Sequence, residues 1–201
     1  MRVKSEEKRQ AILDIAKSSF TQNGFEQTSM SAIAKQLGGS KATLYNYFSS
    51  KEEIFAAVME SSATEGIAAA FENLSGRTEI HEALTKFGNT YLSSILAPSL
   101  AAIKKMAIAE ADRSDIGRQF YINGPKRGYQ KVADFLHIRM SNGELRTSDP
   151  FIAAIQLKSL LEAELYEPFI LGVISTPNQS MINDAVERAL SAFFAIYEIK
   201  R

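Results

Sequence analysis

Thr28-Ser-Met-Ser-Ala-Ile-Ala-Lys-Gln-Leu-Gly-Gly-Ser-Lys-Ala-Thr-Leu-Tyr-Asn-Tyr-Phe-Ser-Ser-Lys-Glu-Glu-Ile-Phe55 is the stretch that decides the fold of this 201-residue chain. Met30, Ile33, Ala34 and Leu37 stand at i, i+3, i+4 and i+7, the apolar stripe of a short amphipathic helix. Thr28 is placed as its N-cap, where a hydroxyl accepts a free first-turn N–H. Gly38-Gly39 stops the helix and permits a sharp turn. Ser40 caps a second, very short helix reaching about Phe48. Two short helices across a glycine turn predict a helix-turn-helix, whose second helix enters the major groove of DNA. An ordinary helical hairpin with exposed aromatics fits the same pattern.

The second helix carries the information. At 100° per residue, Leu44 and Phe48 lie within about 40° of each other and face the core. The opposite face holds Ala42 and Asn46, flanked by Thr43 and Tyr45. An amide can pair with adenine, and apolar groups can touch a thymine methyl. Lys41 and Tyr47 reach for phosphates, with the hydroxyls of Ser29 and Ser40 nearby. Lys51 opens the following helix, where an ammonium and free backbone N–H groups can hold one phosphate together.

Working outward, a helix is predicted from about Ser5 to Gln22, buried through Ile12, Leu13, Ala16 and Phe20 and ended by Gly24. Residues 1–51 contain eight Lys/Arg and four Asp/Glu, a net of +4. The total is 23 of each sign, so the other 150 residues hold 15 and 19, a net of −4. A basic end on an acidic remainder suits a polyanionic partner. Almost the whole chain reads as helix, in about nine segments, of which Gly24, Gly38-Gly39 and Ser49-Ser50 divide the first third. The rest are cut at Ser75-Gly76, Pro98, Gly124-Pro125, Asn142-Gly143, Asp149-Pro150 and Thr176-Pro177. The helix starting near Lys51 joins the basic part, residues 1–51, to the rest, 52–201.

Several classes are disfavoured. With no cysteine there are no disulfides or thiolate metal sites, which suits a reducing cytoplasm. The N-terminus leads into no apolar stretch, so no signal peptide is expected, nor is a membrane span. The most apolar region, Leu157 to Ile174, is interrupted by Lys158, Glu162, Glu164, Glu167 and Pro168. His81 and His137 are the two histidines and stand in no ligand-spaced motif. No glycine-rich phosphate loop or G-x-S-x-G occurs, so neither catalysis nor a cofactor is expected.

Residues 8–55 closely resemble the signature of the TetR family, through the stretch above together with Ile12-Leu-Asp-Ile-Ala16, Phe20 and Gly24-Phe25. The resemblance implies an all-helical homodimer whose third helix reads operator DNA. It assigns Thr28, Lys41, Tyr47 and Lys51 mainly to phosphates, and Ala42, Thr43, Tyr45 and Asn46 to bases. Gly39 departs from the family pattern, where an apolar residue is usual, and this puts the rigidity of the turn in question. In the second part, Lys105-Met-Ala-Ile-Ala-Glu-Ala111, Asn123-Gly-Pro125, Asn142-Gly-Glu-Leu-Arg146 and Asp149-Pro150 look like the AefR-like branch.

The C-terminal part must bundle around an apolar interior, and aromatics at helical spacing are ordinarily core. The family analogy implies a cavity for a small apolar or amphipathic effector. Its candidate lining is Met59, Phe87, Tyr91, Met106, Glu110, Phe120, Tyr121, Phe135 and Gln156. Dimerisation is expected through Leu157, Leu161 and Leu165 with Ala185, Ala189, Ala192, Phe193 and Ile196, whose alanines allow close approach of a partner helix. The expected function is a repressor released from a palindromic operator by its effector. A DNA-binding regulator without effector, or an activator, remains the alternative.

Overall fold

The computed structural model describes residues 5–74 and 78–199, with side chains described outside 62–66. The Ser75-Gly76 break lies outside the described residues. Eleven helices appear among them: α1 (Glu6–Gln27), α2 (Met30–Gln36), α3 (Lys41–Tyr45), α4 (Lys51–Glu72), α5 (Ile80–Ile95), α6 (Pro98–Ala109), α7 (Ile116–Asn123), α8 (Pro125–Ser141), α9 (Pro150–Glu162), α10 (Tyr166–Ile170) and α11 (Gln179–Tyr197).

Eleven replace the expected nine because two long segments divide. Between α6 and α7, the amides of Arg113 and Ser114 both turn back to the Glu110 carbonyl. Between α9 and α10 the cause is Pro168, which has no N–H for a continuing helix. The chain restarts at Tyr166, so Pro168 falls in a first turn where no N–H is needed.

The chain divides by packing into two compact units, residues 1–62 with 102–124, and 63–101 with 125–201. This differs from the division at 51/52 drawn from charge. Ile54, Phe55, Val58 and Met59 bury in the same cluster as Ile12, Leu13, Ala16, Phe20, Ile33 and Leu44, and Ile103, Met106 and Ile116 join them.

In the first unit Ser5 caps α1, accepting the Lys8 amide. α1 is broken at Gly24, whose φ of 80° is the left-handed region. The break turns Phe25 inward, where its ring centroid lies 5.6 Å from Phe20 and 5.4 Å from Phe55. Thr28 is buried, and its hydroxyl donates to the Gly24 carbonyl at 2.8 Å, with the Ser19 carbonyl at 3.2 Å. The N-cap of α2 is therefore Ser29, accepting from the Ala32 amide, and not Thr28.

α2 ends in a Schellman motif. Gly38, at φ 68°, donates to the Lys35 carbonyl, and Gly39 donates to the Ala34 carbonyl. Gly39 itself is not in the left-handed region, and a Cβ there would meet nothing closer than 3.8 Å. The unusual glycine leaves the hydrogen bonds of the turn intact.

In the second unit α9 packs against α8 and α11, and α5 against α11 and α9. α5 comes close because position 88 is glycine: a Cβ there would stand 2.8 Å from Val186 Cγ1. This packing corrects the expected dimer face. Leu157, Leu161, Leu165, Ala185, Ala189 and Phe193 are all buried in this chain's own core, and only Ala192 and Ile196 of that set reach the surface. The alanines admit a neighbouring helix, but that helix belongs to the same chain.

The glycine pair has separable effects on stability. Gly38→Ala forces a side chain into a left-handed position and should cost about 1–2 kcal/mol. Gly39→Ala restricts the unfolded chain with no clash and should gain about 0.4–1 kcal/mol. Thermal unfolding checks both, and shifts of the same sign would refute this account of the turn.

Candidate nucleic-acid interface

α3 is held by its two ends. Ser40 caps it, accepting the Thr43 amide at 3.1 Å. Asn46 N–H continues the turn to the Ala42 carbonyl, and the Tyr47 and Phe48 amides both bond to Leu44. Leu44 and Phe48 are buried, as their spacing predicts. Lys41, Ala42, Tyr45 and Asn46 are exposed, and Thr43 is half-buried with its hydroxyl 3.0 Å from that of Ser40. One short surface thus presents an ammonium, a methyl, a phenol and an amide, on a helix anchored from behind.

The flanking residues differ in how free they are. Ser29 and Ser40 both accept backbone amides; Ser29 keeps its hydroxyl proton for an outside acceptor, while Ser40 and Thr43 share one hydroxyl–hydroxyl bond. Thr28 has spent its hydroxyl and its amide inside the unit, so it has no donor for a phosphate. The Tyr47 hydroxyl accepts the Ser5 amide at 3.1 Å, which leaves its proton available. Lys51 is tied inward: its ammonium donates to the Phe25 carbonyl at 2.8 Å and lies 4.0 Å from the centroid of the Phe25 ring. An ammonium carries three protons, so two remain. Ser50 caps α4 by accepting the Glu53 amide, while the Glu53 carboxylate takes the Ser49 amide and hydroxyl at 2.5 and 2.7 Å.

The nine residues expected to line an effector cavity fall into two clusters. Met59, Met106 and Phe120 pack in the first unit, where Glu110 is buried with Oε2 lacking a partner among the described residues. Tyr121, 46% exposed, faces outward and lines no interior. In the second unit Phe87 and Phe135 are core and Tyr91 packs against them. Gln156 is also exposed, its amide oxygen accepting the Tyr197 hydroxyl, and it too drops out of an interior lining.

A polar cluster inside the second unit went unrecognised in the sequence. Tyr91 donates to Glu162 Oε1 at 2.5 Å, and Lys158 pairs with Glu162 Oε2 at 2.9 Å. Lys158 also lies 6.0 Å from the Tyr129 ring centroid. Burial, then the Glu162 charge, pushes the Tyr91 hydroxyl well above the usual tyrosine range, and the same two causes raise Tyr166. Burial pulls Lys158 down, but the Glu162 bond and charge, with Tyr129, more than offset it and leave it raised. The signal was present: Lys158 and Glu162 stand i, i+4 in the most apolar stretch of the chain.

Among the described residues no three potential ligands gather for a metal, and no single helix is long and apolar enough to cross a membrane. Residues 12–58 match the model of the bacterial regulatory proteins of the tetR family, and residues 82–199 that of the AefR-like transcriptional repressor C-terminal domain. A TetR-family regulator from Mesorhizobium loti MAFF303099 superposes with a TM-score of 0.84 at 25% identity, over 98% of this chain and all of that one. The flavonoid-responsive regulator FrrA superposes at 0.81 with 30% identity, over 98% and 100%. The fatty acid metabolism regulator protein of Bacillus subtilis is 26% identical over 175 residues, 86% of this chain and 83% of its own.

Tyr91→Phe removes the donor to a carboxylate that stays largely buried, at a cost of about 1–3 kcal/mol at neutral pH. The native hydroxyl titrates above its unfolded value, so its contribution is complete below about pH 10 and is lost as pH rises beyond that. Urea denaturation at pH 7 and above pH 10 should therefore show the deficit of the variant shrinking at high pH. A deficit that persists unchanged would contradict the assigned role of Tyr91.

Proposed function

The chain belongs to the TetR family of bacterial regulatory proteins, and we propose that it is a repressor that binds a palindromic operator as a homodimer and leaves it on binding a small molecule. The single observation that carries the DNA reading is the exposed face of α3 on a buried, doubly capped helix-turn-helix. In this reading Ala42, Thr43, Tyr45 and Asn46 meet base edges. Ser29, Ser40, Lys41, Tyr47 and Lys51 hold phosphates, and Thr28 supports them from inside. The AefR-like repressor model over 82–199 favours repression over activation. The matched families and relatives are transcriptional regulators, not enzymes. Action on DNA sets the cytoplasm as the working compartment.

Lys41→Ala should weaken binding to all DNA alike and lower the salt slope by about one unit. Lys51→Ala should do the same and also loosen Phe25. Asn46→Ala should instead cost about 1–3 kcal/mol on the operator and relax base preference at one position. Selection of bound sites from a random DNA pool supplies the operator. A pool that yields no palindrome, or an Asn46→Ala protein with unaltered preference, sinks this reading.

TetR-family regulators are typically dimers. With the alanine stripe buried, the face left for a partner combines Ile152, Gln156, Ser159 and Ala163 with Ala192, Ala195 and Ile196, all exposed or half-exposed along α9 and α11. An isologous contact there would bring each substituted position near its own copy. Ser159→Glu with Ala195→Glu should convert a dimer to a monomer in sedimentation analysis. A wild-type monomer at micromolar concentration, or an unaffected dimer in the double variant, excludes this interface.

The effector reading draws on FrrA, a flavonoid-responsive regulator. α4 begins at Lys51 and belongs to both packing units, so it is the lever through which an effector acts. A dimer needs its reading helices about 34–36 Å apart, or a multiple, to enter successive major grooves. A ligand favouring another spacing lowers operator affinity, commonly by about 1–3 kcal/mol, and operator must weaken the ligand by the same factor. Calorimetric titration of an effector with and without operator measures this, and equal affinities would remove release from the reading.

A further inference from the structure

We propose that the turn after α10, Leu171-Gly-Val173, is an apolar contact to a second copy of this chain, an inference that rests on the homodimer reading. α10 ends in a Schellman motif. Gly172, at φ 74°, donates to the Phe169 carbonyl, and the Val173 amide donates to that of Pro168 at 2.8 Å. Phe169 and Ile174 pack against the core of the second unit, and Pro177 is buried. The turn is thus fastened from within while two large side chains face solvent, Leu171 at 70% exposure and Val173 at 74%. In this motif the residue in the place of Val173 frequently packs back on its own helix. Here it does not, and its apolar surface is left for another occupant.

The surroundings choose the occupant. Single exposed apolar residues are common on any protein. These two stand two positions apart on a fixed turn, in a run from Pro168 to Asn183 without a charged side chain. The charges that flank the run are acidic, Glu164 and Glu167 before it and Asp184 and Glu187 after it, and Arg188 is spent on Glu164 at 2.6 and 2.8 Å. An anionic lipid surface calls for Lys and Arg at such a place, so the pattern fits protein. Area and continuity favour a second copy. A stable interface takes about 20–30 residues, about 800 Å², from each partner. The exposed side of α9 and α11 offers two large apolar residues, Ile152 and Ile196, among short side chains such as Ser159, Ala163 and Ala195. Leu171 and Val173 stand on the segment that joins those two helices and supply the bulk that face lacks. A turn already fixed by its own hydrogen bonds loses little freedom on docking.

Sedimentation equilibrium of the full chain, without DNA or effector, reads the contact. Leu171→Asp with Val173→Asp should raise the dimer dissociation constant roughly tenfold or more. Both side chains are exposed, so the far-UV circular dichroism should not change. The chain has no cysteine, and Val173→Cys therefore introduces a single thiol. Its alkylation by a maleimide should be slow at concentrations where the wild type is a dimer and faster on dilution to the monomer. The proposal is overturned if the double variant dimerises as the wild type does, or if Val173→Cys reacts equally fast at both concentrations. It is overturned too if phosphatidylglycerol vesicles bind the wild type and not the double variant. A dimer that resists Leu171→Asp with Val173→Asp but yields to Ser159→Glu with Ala195→Glu removes the turn contact alone. A wild type that stays monomeric at micromolar concentration removes the homodimer reading with it.

Discussion

The packing of Phe25 between Phe20 and Phe55 is the constraint on which the DNA-facing unit depends. The three rings meet at 5.4–5.6 Å, two of the contacts edge-on at 74° and 75°. Such pairs add about 0.5–1.5 kcal/mol each beyond the area they bury. Phe25 reaches its place only because Gly24 breaks α1 with a positive φ. The break exposes backbone groups that must be satisfied, and the Thr28 hydroxyl does so from the start of the next turn. Lys51 closes the arrangement from α4, bonding to the Phe25 carbonyl and lying over its ring. α2 and α3 are too short to hold themselves together, and they take their position from this frame through Ile33, Ala34, Leu44 and Phe48.

The second unit solves a different problem. Its core is larger, yet several polar groups lie within it. Glu162 accepts from Tyr91 and pairs with Lys158, and Arg139 spends two of its three kinds of donor on Glu144 and Thr78. A buried ion pair rarely adds stability over apolar residues of the same size, whereas breaking one is costly. Of these groups, Arg139 keeps one buried donor, Nε–H, without a partner among the described residues.

Most of the first unit was legible because its signals are local. The i, i+4 pair Leu44 and Phe48 fixes which face of α3 is buried, and Gly24 and Gly38 fix where helices end. Thr28 was misread because Ser29 beside it is an equally good cap, and only the tertiary fold shows which hydroxyl points inward. The alanine stripe of α11 failed for a deeper reason. Apolar periodicity tells that a face is buried but not whether the covering helix belongs to the same chain. The polar cluster was overlooked because Tyr91, Tyr129, Glu162 and Tyr166 are spread over 76 positions and meet only through the packing of α5, α8, α9 and α10.

Lys51 ties the start of α4 to the frame. The contacts at the start of α4 decide how firmly that helix is held to α1. Sliding α4 past the aromatic cluster would break the Lys51 bond to Phe25 and pull the Phe55 ring from its two neighbours. A hydrogen bond from a charged group is worth about 1.5–3 kcal/mol, and burial of the Phe55 ring adds a term of similar size. Together these exceed the ~1–3 kcal/mol by which an allosteric ligand commonly shifts an equilibrium. Displacement of α4 therefore carries Phe25, α1 and the short helices along as one body. The recognition face of α3 keeps its shape.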